Sequence, residues 1–454
     1  MNLIFVAFVL LLGLFMFFVA RPIKLVFFLI SAMCFSMVRV PIPFFQDAYS
    51  YLALFFLLSE MQEIGYHVKR LKSTILWPLM ITMLIATVLL LLNSPHFLSI
   101  NGFFELFKSE LLIKYFVIVY ALICLRKEAD LRIIYKASLI GLLILTVFSI
   151  INYVQGYSYI VNELAKGRDV HAGWDHAGVD VGEKYSDSDR FRLQSLFFLA
   201  FDYGYVCAIL LLFYLHGMHN KYLSQKLSLL AVLCCLFGVI LSNCRTVIVS
   251  TLFSVGVYYY IIYGKKQILY LILFSFLSYT FYSSNPQFQE FVDTKVISVF
   301  GYRDNNISGS SIEMREIQYL AVFSHVQDSY LFGKGKNYFL IDMGWKDGKD
   351  YLADERLQGL EGIFLNLILE RGVVGILFWL FFYGGLLFYF IRNKNDNIKG
   401  ASLGISCLTL YFIESNMTGE MGCVYPTMLI MGIALFELYR FDQKNQRPFL
   451  LKQG

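Results

Sequence analysis

The sequence predicts an all-α polytopic membrane protein, and three observations carry that reading. Mean hydropathy is +0.61, with 58% hydrophobic and only 16% charged residues. Apolar tracts recur from end to end, each long enough to cross a hydrocarbon core of ~30 Å at ~1.5 Å per residue. Tracts such as 75–92 lack the alternating segments of ~10 residues that a transmembrane barrel requires.

Taken in order, spans are expected near 2–20, 23–40, 46–62, 75–93, 111–126, 132–153, 196–216, 226–242, 246–263, 267–283, 373–391, 400–417 and 425–439. This is an architecture of about 12–13 transmembrane helices in a single integral membrane domain, 1–454, with a large outer loop before the last three spans. The opening stretch MNLIFVAFVLLLGLFMFFVARP has neither a basic n-region nor an A-x-A cleavage pattern, so it reads as a retained first span. The third span is the least apolar, because Gln46, Asp47, Glu60 and Glu63 flank or enter it. The eight cysteines lie in or beside apolar tracts without metal-type spacing and read as small core residues.

Orientation follows from the connections. Arg21 and Lys24; Lys69, Arg70 and Lys72; Arg126, Lys127 and Arg132; Lys221 and Lys226; Lys265 and Lys266; Arg392, Lys394 and Lys399; and the basic tail from Arg440 to Lys452 fall on one side of the alternation. Positive charge marks that side as cytoplasmic. The net charge of +5 is accounted for by these loops, and no nucleic-acid partner is expected. The opposite face receives two hydrophilic segments, 154–195 and 284–360. Their mixed charge, with Trp174 and Trp345, argues for ordered caps over linkers.

Candidate site residues cluster on that outer face. Arg245, in GVILSNCRTVIVS, has no acidic residue within four positions; it either snorkels to the boundary or offers its charge to an external anion. Arg190 and Arg192 stand where the first outer loop re-enters the membrane. They serve either as interfacial anchors paired with Asp187 or Asp189, or as guanidinium forks matched to phosphate oxygens. Arg303 and Arg315 admit the same two readings, with Glu313 and Glu316 as surface partners of Arg315. Gly333 and Gly335, in LFGKGKNYF, read as a turn, since a lone G-x-G is a weak phosphate motif. Glu361 precedes the helical run GIFLNLILERG and is either an N-terminal helix charge or a general base. Glu414 and Glu420 bound the last two spans on the same side. The D-x-D pair Asp187 and Asp189 could hold a divalent cation, but Arg190 and Arg192 follow at once and neutralise it, so no metal is assigned. No cofactor motif is present. Arginines on the outer face with a carboxylate base suit transfer from a lipid-linked diphosphate.

In their order, N-C-R-T after a span, R-E-I-Q-Y, L-F-G-K-G-K-N-Y-F, then E-G-I-F-L-N-L-I-L-E-R-G-V-V-G-I-L-F, these segments resemble the O-antigen ligase and Wzy-type polymerase superfamily. The matching positions are Arg245, Arg315, Gly333, Gly335 and Tyr338, then Leu365, Ile368, Glu370, Gly372 and Gly375. The resemblance covers mainly 240–390. It implies metal-independent inverting glycosyl transfer at the outer face of a bacterial inner membrane, without cofactor. The donor would be an oligosaccharide on undecaprenyl diphosphate, held in the bilayer. Arg192, Arg245 and Arg315 would grip the diphosphate, Glu361 would act as base and Arg315 would assist catalysis. Arg190, Arg303, Glu414 and Glu420 are secondary candidates. Where ligases of the superfamily carry a histidine before the final helix, this sequence has Glu361, which favours a polymerase; a chain-length-regulating co-polymerase is then a partner to expect. The competing readings are an O-antigen ligase delivering to lipid A core, and a flippase or transporter. The sequence lacks the related halves and mid-span charges of the latter.

Overall fold

The computed structural model describes residues 2–36, 38, 40, 45, 47–156, 193–197, 199–264, 282–283, 285–286, 289, 312–343, 354–357, 360, 362–419 and 424–450. Among the described residues the regular structure is helical, without strands. The helices are α1 (Asn2–Phe15), α2 (Arg21–Cys34), α3 (Ala48–Glu60), α4 (Ile64–Lys72), α5 (Leu76–Leu92), α6 (Ile100–Phe107), α7 (Val117–Cys124) and α8 (Glu128–Gln155), with a π-helical stretch Lys108–Tyr115 before α7. There follow α9 (Ala200–His219), α10 (Gln225–Leu241), α11 (Arg245–Tyr263), α12 (Ile312–His325), α13 (Tyr338–Ile341), α14 (Ile363–Arg392), α15 (Ile398–Thr418) and α16 (Val424–Leu450). Each expected span coincides with a helix, except that at 267–283, of which only 282–283 are described.

Length and composition together let α8, α9, α11 and α14 cross a membrane unaided. The stretch from α3 to α4 passes jointly with α5, to which it is bent by 105°. Part of α1, α10 and the Val424–Tyr439 part of α16 are apolar but shorter, and α2, α7 and α15 pack into the same bundle. Burial sorts these helices into layers. In α9, 83% of the apolar window is buried, against 33–39% in α8, α11 and α14. A helix apolar all round belongs at the centre of a bundle, and α9 sits there, packed on α10, α11 and α15. Exposed Leu, Ile, Val and Phe on the outer helices, such as Phe8, Ile85, Val147, Leu252 and Phe388, present the apolar surface that lipid requires.

The ends of the helices join in two separate sets. At one end Asn93 Nδ2 donates to the Gly333 carbonyl at 3.0 Å, the Lys336 amide donates to Ser94 Oγ at 2.7 Å, His96 meets Asp342 at 2.9 Å and Lys108 meets Asp47 at 3.7 Å. At the other, Arg21 reaches Glu60 at 2.8 Å and Glu63 at 2.7 Å, Arg126 reaches Glu63 at 3.0 Å, and Tyr222 donates to Glu437 at 2.6 Å. Glu60, which made the third span least apolar in sequence, is therefore paired, with Lys24 Nζ at 2.7 Å and His67 Nε2 at 3.1 Å besides Arg21. Residues that the charge pattern assigns to one side thus bond to one another.

Candidate active site

The segment LFGKGKNYF and the run LERG interlock. α14 is broken at Gly372, whose φ of 60° and ψ of −162° are non-helical. The break leaves carbonyls on one side and amides on the other without helical partners, and the turn from Tyr330 to Gly335 supplies both. The Lys334 amide donates to the Leu369 carbonyl at 2.7 Å and the Gly335 amide to that of Glu370 at 3.0 Å. In return the Val373 and Val374 amides donate to the Tyr330 and Leu331 carbonyls, each at 3.1 Å. The fit is too close for side chains. A Cβ on Gly333 would lie 2.5 Å from the Arg371 amide, and one on Gly372 would lie 2.4 Å from the Leu331 carbonyl oxygen. Both glycines also have positive φ, a region costly for any other residue.

This interlock aims a set of charges at one place. Glu370 accepts from the Asn337 amide at 3.0 Å and from Lys336 Nζ at 3.0 Å. Arg371, one residue on, is hydrogen-bonded to Glu110 of the π-helical stretch, and Lys336 Nζ lies 3.1 Å from the other Glu110 oxygen. Lys114, one turn beyond Glu110, stands 3.7 Å from it. Burial disfavours the charged Lys336 ammonium, but Glu370 and Glu110 outweigh that effect and hold its pKa above the ordinary lysine value. Lys114, Lys336, Glu370 and Arg371 line a cavity of ≈ 240 Å³, closed on other sides by Leu360, Ile363, Asn366, Leu367, Thr418 and Gly419.

Some sequence candidates meet here. Arg315 Nη2 donates to the Met417 carbonyl at 3.1 Å, beside the Thr418–Gly419 wall. One turn inside, Glu414 is buried and accepts from Thr246 Oγ1 at 3.1 Å and Ser250 Oγ at 2.9 Å. Thr246 follows Arg245, the first residue of α11, so α11 starts beside the same end of α15 that Arg315 reaches. Glu361, Arg190, Arg192, Arg303 and Glu420, with Asp187 and Asp189, lie outside the described residues.

Glu110, Lys114, Lys336 and Arg371 were not singled out by sequence reasoning. A signal existed for the first two: Glu110 and Lys114 stand four residues apart at the mouth of an apolar span, where ionisable residues are rare unless used.

Lys114, Lys336, Arg371 and nearby Arg315 outnumber Glu110 and Glu370 by two charges, a balance complementary to a diphosphate diester. Comparison with curated proteins finds no match. The family model described as O-antigen ligase matches residues 230–380, a range that takes in Arg245, Arg315, the Gly333–Gly372 interlock and most of the cavity wall. That family is a glycosyltransferase-like group of ligases and polymerases, which supports an enzyme. By this match and its all-α membrane architecture, the chain is consistent with the O-antigen ligase/polymerase superfamily.

Proposed function

We propose that the protein is a polymerase of surface-polysaccharide repeat units. It transfers a glycan from undecaprenyl diphosphate to a sugar hydroxyl of another lipid-linked repeat unit, at the outer face of the bacterial inner membrane. The observation that carries this reading is the cation-lined cavity at the Gly333–Gly372 interlock, inside the segment that matches the family. Lys114, Lys336 and Arg371 favour an anion, with Arg245 and Arg315 nearby. In transfer, charge grows on the departing diphosphate. Fixed cations in a poorly hydrated site stabilise it there without reorganising, which is the electrostatic share of catalysis. The acceptor hydroxyl must lose a proton as it attacks the anomeric carbon. Glu361, between Leu360 and Ile363 of the lining in sequence, is the base in this reading, a role worth ~10² to 10⁴ in rate. The transfer is inverting and needs no metal.

The description of the matching family favours a ligase as the second reading. Deletion separates the two: loss of a polymerase leaves single repeat units on the lipid A core, whereas loss of a ligase leaves polymer on the carrier lipid. We expect the former, with restoration by the wild-type gene and at least a ~100-fold loss of polymer in Arg315→Ala at normal protein level, the scale of a removed transition-state cation. Long polymer in Arg315→Ala cells would refute the arginine's role, and polymer accumulating on the carrier would refute the polymerase.

A further inference from the structure

A second cavity lies at the far end of the molecule. α7 and α16 both start near the active-site cavity and run away from it, and the second cavity is lined by Leu122 and Ile123 near the end of α7 and by Phe436 and Tyr439 of α16. From Val424 to Phe436 the helix rise alone separates the two by roughly 18 Å. Its remaining walls are His67, Arg70, Leu71, Ser73, Thr74 and Arg126. The cavity holds ≈ 60 Å³, where one water needs ~10–15 Å³.

Its polar groups are half used. Arg70 Nη2 donates to the Leu125 carbonyl at 3.1 Å, capping α7, while its buried Nη1 has no hydrogen-bond partner among the described residues. His67, 3% exposed, spends Nε2 on Glu60 at 3.1 Å, and its Nδ1 is likewise buried without a partner among the described residues. A buried polar group left unpaired costs ~1–3 kcal/mol, so two in one cavity call for an occupant. Charge says which kind. Glu60 is committed to Arg21, Lys24 and His67, and Glu63 to Arg21 and Arg126. Arg70 has no carboxylate within ion-pair distance among the described residues, and Arg126 stands at the same cavity half-exposed.

We propose that this cavity binds a phosphate group, with Arg70 as the inner donor, His67 beside it and Arg126 at the mouth. An anionic phospholipid headgroup and free phosphate share this chemistry. Basic pockets between helices at the cytoplasmic boundary suit such headgroups, and the apolar floor of Leu71, Leu122, Ile123 and Phe436 would receive the glycerol end. The inference is independent of the polymerase reading.

The full-length protein, purified in neutral detergent, is titrated separately with short-chain phosphatidylglycerol, short-chain phosphatidylcholine and inorganic phosphate. Native mass spectrometry and thermal melting provide the readouts. We expect one saturable phosphatidylglycerol site, absent with phosphatidylcholine and weakened ~10-fold or more in Arg70→Gln, the scale of one charged hydrogen bond. Arg126→Gln, at an exposed position that leaves the α7 cap intact, is expected to weaken it as well. Phosphatidylglycerol binding that inorganic phosphate does not match assigns the site to a lipid; an equal response to inorganic phosphate assigns it to the free ion. Binding of either probe that is unchanged in both variants, or no binding by wild type, overturns the proposal.

Discussion

Glu110 is the residue on which the charges of the candidate site depend. It is fully buried and touches Arg371, Lys336 and Lys114. Removing one partner of a buried charge set leaves the others uncompensated, at ~3–5 kcal/mol. Glu110→Gln is therefore expected to lower the melting temperature sharply and to displace Arg371, whereas Glu110→Gln combined with Arg371→Met recovers much of the stability but none of the transfer. Thermal melting of the purified variants checks this, and a Glu110→Gln protein as stable as wild type would contradict it. At this scale the sequence was only partly legible. Arg315 and Glu370 could be picked out from the motif, but Glu110 meets Arg371 across 261 residues of chain, a distance over which local spacing carries no information.

At the scale of elements, the G-x-G turn and the E-R-G break form one structure in two pieces. Neither glycine can hold a Cβ where it stands, because each faces the other segment's backbone. Positive φ alone costs an alanine ~1–2 kcal/mol, and the close contacts add to it. Gly333→Ala and Gly372→Ala are thus each expected to abolish polymer while the protein still inserts and accumulates. Activity assays beside membrane immunoblots decide the matter; activity within twofold of wild type in either variant would show that the interlock is dispensable. The sequence correctly marked Gly333 and Gly335 as a turn. What they turn against was hidden, since the two strings lie apart in the chain.

For the molecule as a whole, bonds between connections sort the helix ends into two sets that agree with the distribution of basic residues. If one end faces outward, Asp342→Cys is modified by a membrane-impermeant maleimide in intact spheroplasts and Lys394→Cys only after lysis. The described native cysteines are buried, apart from half-buried Cys234, so background labelling is expected to be low. Labelling of Lys394→Cys in intact cells would invert the orientation and move the proposed chemistry to the wrong face.

The sequence by itself determined the all-α membrane class and the positions of the described helices. These follow from runs of apolar residues, which are local properties read along the chain. It also marked Arg245, Arg315 and the glycine motif, through a resemblance carried by short strings in a given order. Tertiary structure alone decided that Lys114, Lys336 and Arg371, all paired with the buried Glu110, share a cavity with the motif, and that Arg70 and His67 share another at the opposite end. A buried ionisable group is stabilised by whichever charge the fold brings within a few ångströms. That proximity comes from helix packing, which no local stretch of sequence records.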